Sequence, residues 1–134
     1  MFARRCASGL SIFFVATALV GCSTPYVSSI QVTPAAITFV GPGGTAQMKA
    51  IGTFQQGEHT PWLEDITSQV TWTTNASGVV SVTKTGAVTG TGLGEAQITA
   101  TMEGYKGIVF GIATITVCQP SPTLPGQCQI SVNQ

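Results

Sequence analysis

His59 is the single histidine of a 134-residue chain, and it stands close to Glu58, Glu64 and Asp65. Imidazole and carboxylate groups hold metals and move protons, so this is the stretch whose residue types invite either chemistry. The spacing does not carry it further. Glu64 and Asp65 are adjacent and lack the alternation of a calcium loop. The segment Gln55–Ser68 reads as the longest irregular stretch of the chain, where charged side chains are ordinarily solvated. No metal is expected. Serine and threonine abound, but there is no Gly-x-Ser-x-Gly elbow, and one loop histidine does not assign a triad. Gly90, Gly92 and Gly94 have the look of a phosphate loop. They lie between two short strands, no helix follows and no lysine accompanies them, so they read as a turn. The expectation is a chain without catalytic residues or cofactors.

Two aromatic residues remain as candidate binding contacts. Trp62 and Tyr105 both fall in predicted loops, and exposed aromatics commonly anchor binding surfaces. Trp62 sits between Pro61 and Leu63, so capping the end of a core is the competing role. Tyr105, in a turn flanked by Gly104 and Gly107, either projects into solvent or lies on its own sheet.

Charged residues make up 7% of the chain, with five basic and five acidic residues and a formal net charge of +0. Nucleic acid is excluded as a partner on this ground, since phosphate recognition needs a basic surface. Thr, Gly, Val, Ala and Ser dominate, the make-up of an all-β protein with many turns.

The N-terminus reads as an address. Arg4 and Arg5 form a positive region, and Leu10–Val20 an apolar one too short to span a bilayer comfortably. The next residues, Leu19-Val20-Gly21-Cys22, resemble the lipobox of bacterial lipoproteins, with Leu three before the cysteine and a small residue just before it. The resemblance implies that residues 1–21 are removed as a signal peptide and that Cys22 becomes the lipidated N-terminus, attached stably to a membrane through its acyl chains. It places the protein in the cell envelope. Ser23 after the cysteine, in place of Asp, is compatible with the outer membrane if the host is Gram-negative. The mature chain then carries three lysines against five carboxylates, a net charge of −2. In an exported chain, Cys118 and Cys128 are expected to close a short disulfide, because no second ligand pair lies near them to suggest a metal.

The elements follow in order. Residues 22–28 read as a tether spanning at most about 20 Å. Ser29–Thr33 alternates as a first strand and Pro34 breaks it; Ile37–Val40 resumes an edge segment. Thr45–Phe54 is predicted as one strand with Ala46, Met48 and Ala50 on one face. In Val70–Thr74, Val70 and Trp72 point one way and Thr71 and Thr73 the other, which predicts Trp72 in the core. Val79–Val82, Ala87–Thr89, Glu95–Met102 and Ile108–Val117 complete about seven or eight strands, the pattern of a β-sandwich. Ile130 and Val132 alternate with polar residues and suggest a further edge strand.

This order of motifs resembles the group 2 bacterial immunoglobulin-like domain of intimins, invasins and other surface proteins. The matching residues are Ile30-x-Val32-Thr33-Pro34, Gly44-Thr45-x-x-Met48-x-Ala50, Val70-Thr71-Trp72 and Val80-Ser81-Val82. They continue through Gly86-x-Val88-Thr89-Gly90 and Gly94-x-Ala96-x-Ile98-Thr99-Ala100 to Ala113–Val117. The resemblance implies an Ig-like sandwich over 29–117, with 118–134 as a disulfide-closed tail, and a binding or spacer module rather than an enzyme. The expected function is a non-enzymatic, lipid-anchored module of the envelope that contacts a protein partner. The alternative is binding of glycan or peptidoglycan through Trp62 and Tyr105.

Overall fold

A computed structural model describes residues 23–129. Cys22 with its signal, and the strand expected around Ile130 and Val132, lie outside the described residues. Within them the chain is all β, with ten strands: β1 Tyr26–Thr33, β2 Ala36–Val40, β3 Thr45–Gln47, β4 Lys49–Gln55, β5 Trp62–Asp65, β6 Thr71–Thr74, β7 Val80–Val82, β8 Ala87–Gly90, β9 Gly94–Gly104 and β10 Gly107–Cys118. The architecture is an Ig-like β-sandwich.

One layer is a four-stranded sheet in the order β2-β10-β9-β6. Its centre is the long β9–β10 hairpin, paired from Gly104–Gly107 to Gly94–Val117. β2 runs parallel to the far half of β10, Ala36 opposite Thr114 through Val40 opposite Cys118. The other layer consists of two three-stranded pieces, β1-β4-β5 and β3-β8-β7. They adjoin at Met48, the one residue between β3 and β4, whose N–H bonds the Gly86 carbonyl at 2.8 Å. The strand predicted over Thr45–Phe54 is therefore broken there. The alternation holds across the break, with Ala46, Met48 and Ala50 inward and Gln47 and Lys49 in solvent.

The core lies between the layers. Met48, Ala50, Ile66, Val80, Val88, Ile98, Ala100 and Ile115 are completely buried, and Val70 and Trp72 nearly so. Thr71 and Thr73 face solvent. No polar side chain is buried among the described residues. Trp72 still finds a partner for its indole N–H, the Thr67 carbonyl at 2.8 Å. At Gly86, with φ at +80°, an added Cβ would lie 2.8 Å from the Met48 carbonyl oxygen and 3.0 Å from the Trp72 ring, so the β7–β8 turn passes against the tryptophan only as glycine.

Three expectations are corrected. Among the described residues the strands number ten rather than about seven or eight, partly because of the break at Met48. Gln55–Ser68 is not wholly irregular: Trp62–Asp65 forms β5 on the edge of β4, with Trp62 opposite Phe54 and Asp65 opposite Ile51. Four residues between charged and turn-forming neighbours are too few to announce themselves, and β5 exists because β4 offers an open edge. The first strand begins at Tyr26, so Tyr26–Ser28, read as tether, belong to the sandwich, paired along β4 with Tyr26 opposite Gln55.

Candidate functional site

The strand register gathers one end of the sandwich. The start of β1, the end of β4, the start of β5 and the β9–β10 turn meet there. Tyr26 lies opposite Gln55, while Val27 and Trp62 flank Phe54, so this end carries two separate aromatic pairs, one about Phe54 and one about Tyr26. Trp62 stacks on Phe54 with ring centroids 5.8 Å apart and planes 18° from parallel. Tyr105, at the tip of the β9–β10 turn, packs against Tyr26 at 5.1 Å. Both separations suit aromatic pairing. A cleft of about 400 Å³ opens beside the tyrosines, lined by Tyr26, Val27, Gln55, Lys106 and Ile108 among others.

Trp62 is thus a strand residue, not a loop residue. Phe54 points toward the open end of the core, and Trp62 covers it while keeping 37% of its own surface exposed. Tyr105 rests on Tyr26 yet remains 72% exposed. Trp62 thus caps the end of the core, as one of its two expected roles has it, and Tyr105 lies on its own sheet with most of its ring in solvent.

Within the acidic stretch, Asp65 closes the turn that follows β5. Asp65 accepts hydrogen bonds from the Thr67 backbone N–H at 3.0 Å and from its hydroxyl. These bonds, the hydroxyl foremost, hold the Asp65 carboxyl below the usual aspartate range, and Lys49 adds a smaller pull in the same direction. The Thr67 hydroxyl in turn accepts the Ala50 N–H at 3.0 Å. Glu58 and His59 sit exposed in the turn before β5. Among the described residues, no three His, Cys, Asp or Glu side chains are gathered so as to hold a metal.

Cys118 and Cys128 are joined by a disulfide, their Cα atoms 5.5 Å apart. It closes a small hairpin in which Pro120 pairs with Cys128 and Ser121 N–H bonds the Gln127 carbonyl. Gly41 N–H bonds the Cys118 carbonyl at 2.8 Å, which ties the hairpin's root to the end of β2. It occupies the pole opposite Tyr105.

Reasoning from sequence missed Tyr26, assigned to the tether, and the outward side chains of β10. Ile108, Phe110 and Ile112 alternate with the inward Val109, Gly111 and Ala113, and all three are exposed. Large apolar residues on both sides of one strand are a signal that alternation carries, but a fully buried strand has the same pattern.

Residues 26–106, more than half of the chain, match the family described as "Bacterial Ig-like domain (group 2)". No curated protein matches the chain. The matched family is a non-catalytic one, found generally in cell-surface and envelope proteins.

Proposed function

The chain belongs to the group 2 bacterial Ig-like domain family, and on that premise we propose that it is a non-enzymatic, lipid-anchored binding module of the cell envelope whose partner is an envelope protein. The observation that carries this reading is the outer face of the four-stranded sheet. Phe110 and Ile112, beyond Ile108 at the end of the strand, form an apolar pair there, while the neighbouring outward positions of β9 and β6 are Glu, Gln and Thr. Sheet layers normally put such residues inward and polar ones outward, and contiguous exposed apolar surface marks interaction sites. The lipid on Cys22 supplies retention and the sheet supplies recognition.

The exposure of Tyr105 beside its cleft favours a second reading, binding of cell-wall glycan by stacking. Crosslinking of the lipidated protein in its own envelope, followed by recovery with and without muramidase digestion, separates the two. A discrete protein that survives digestion, and is lost in Phe110→Ser, supports the first reading. Retention abolished by digestion overturns it in favour of glycan.

A further inference from the structure

We infer that the pole carrying Tyr26, Trp62, Tyr105 and Ile108 rests in the interface of the lipid bilayer and holds the sandwich upright on the membrane. The inference rests on the lipid-anchor reading of Cys22 and goes beyond it, because an anchored domain need not touch the membrane.

Three observations point to it. The first is where the chain leaves the fold. Ser23 is held against the loop after β4: its carbonyl accepts the Gln56 side-chain N–H at 2.6 Å, and a Cβ on Gly57 would lie 3.0 Å from its hydroxyl. Ser23, Thr24, Tyr26, Gly57 and Tyr105 line one cleft. Cys22 is the next residue along the chain. The tether has no slack, so a lipid on Cys22 brings this pole to the headgroups.

The second is the distribution of exposed apolar surface. Trp62, Leu63, Tyr105 and Ile108 belong to elements of this pole, against Val40, Leu93 and Leu124 elsewhere and Phe110 and Ile112 farther along β10. Along β10, exposure rises toward the pole, from 44% at Ile112 to 70% at Ile108.

The third is the kind of residue. Tyr and Trp prefer the membrane–water interface, where the ring is apolar and its polar tip stays wet. Lys106 beside Tyr105 is exposed and can lay its stem along the ring with its ammonium among the headgroups. The other charged groups on this pole are acidic, Glu58 and Glu103, with Glu64 and Asp65 on β5 and His59 in the loop. The contact is therefore apolar rather than electrostatic, and it does not depend on anionic lipid. The twelve-residue β10 then rises away from the bilayer by about 36 Å, with the disulfide hairpin at its top.

The test uses the mature, lipidated full chain in phosphatidylcholine vesicles carrying a headgroup quencher. A bimane is attached at Tyr105→Cys in one sample and at Leu93→Cys, on the opposite pole, in another. Intact mass reports the lipid on Cys22 in both. The inference expects quenching about threefold or more stronger at position 105 than at 93, since the headgroup layer is only several ångström deep, with no change between 0.1 and 1 M salt. A lipidated protein with equal quenching at both positions overturns the inference and leaves the anchor standing. A protein without lipid but with selective quenching at 105 overturns the anchor and keeps the contact. Loss of both the lipid and the quenching overturns both. Ile108→Ser in the labelled Tyr105→Cys protein is expected to weaken the quenching; unchanged quenching there removes β10 from the contact.

Discussion

Thr67 links more of the fold than its single hydroxyl suggests. That hydroxyl donates to Asp65 and accepts from Ala50 of β4, and the Thr67 carbonyl accepts the Trp72 indole N–H. Thr67→Val keeps the shape and leaves the Ala50 N–H without its acceptor, a loss worth about 1–3 kcal/mol. A melting temperature lower by several degrees is expected, at roughly 4–8 °C per kcal/mol for a domain near this size, while Thr67→Ser melts near the parent. The same group sets an acid dependence. The Asp65 carboxyl lies below its unfolded value because of Thr67, so its contribution is complete above the unfolded aspartate value of about 3.9 and is lost as pH falls through the lower folded value. Denaturant midpoints measured downward from pH 5 should fall less in Asp65→Asn than in the parent; identical acid profiles would remove Asp65 from the account.

At the scale of elements, the C-terminal hairpin and β5 stand for opposite cases. The hairpin is closed by a covalent bond and contributes no residue to the buried core. Its short loop limits the stabilisation to about 3 kcal/mol or less. Reduction, or the double substitution of Cys118 and Cys128 by Ser, is expected to lower the thermal midpoint modestly. Amide exchange should rise in 119–129 while β9 and β10 stay protected. β5 depends wholly on its neighbour. Its proximity to the core comes from pairing along β4 and from the Phe54–Trp62 stack. The alternation of Trp62, Glu64 and Ile66 was its only local mark, and a charged residue in the middle erased it. The long strands were legible because alternation over eight or more residues is a property of the strand itself.

For the molecule as a whole, Trp72 joins the layers: it sits on β6 of the four-stranded sheet and touches the β7–β8 turn of the other layer at Gly86. Truncation of such a residue costs about 3–5 kcal/mol, a large part of the 5–15 kcal/mol by which domains are ordinarily stable, roughly speaking. Trp72→Ala should shift the whole denaturation curve, followed by fluorescence of Trp62 at one pole and by circular dichroism, to the same lower midpoint. Separate midpoints would mean that the poles unfold independently. The two poles also divide the surface, aromatic residues and the chain's entry at one end, the disulfide hairpin at the other.

The β class, the turns and the inward side of the Val70–Trp72 strand could be read from the order of residues alone, because period-two alternation and turn chemistry act over a few neighbours. The same is true of the cysteine pair, whose closeness along the chain makes the loop easy to close. The aromatic pole was not legible. Tyr26, Trp62 and Tyr105 come to one end of the sandwich through the pairing of β1 with β4, β4 with β5 and the projection of the β9–β10 turn beside β1. No local pattern encodes such a meeting, since each pairing depends on which edges the rest of the fold leaves open. The exposed stripe of β10 was hidden for the same reason: whether an apolar face is core or surface depends on whether a second layer covers it.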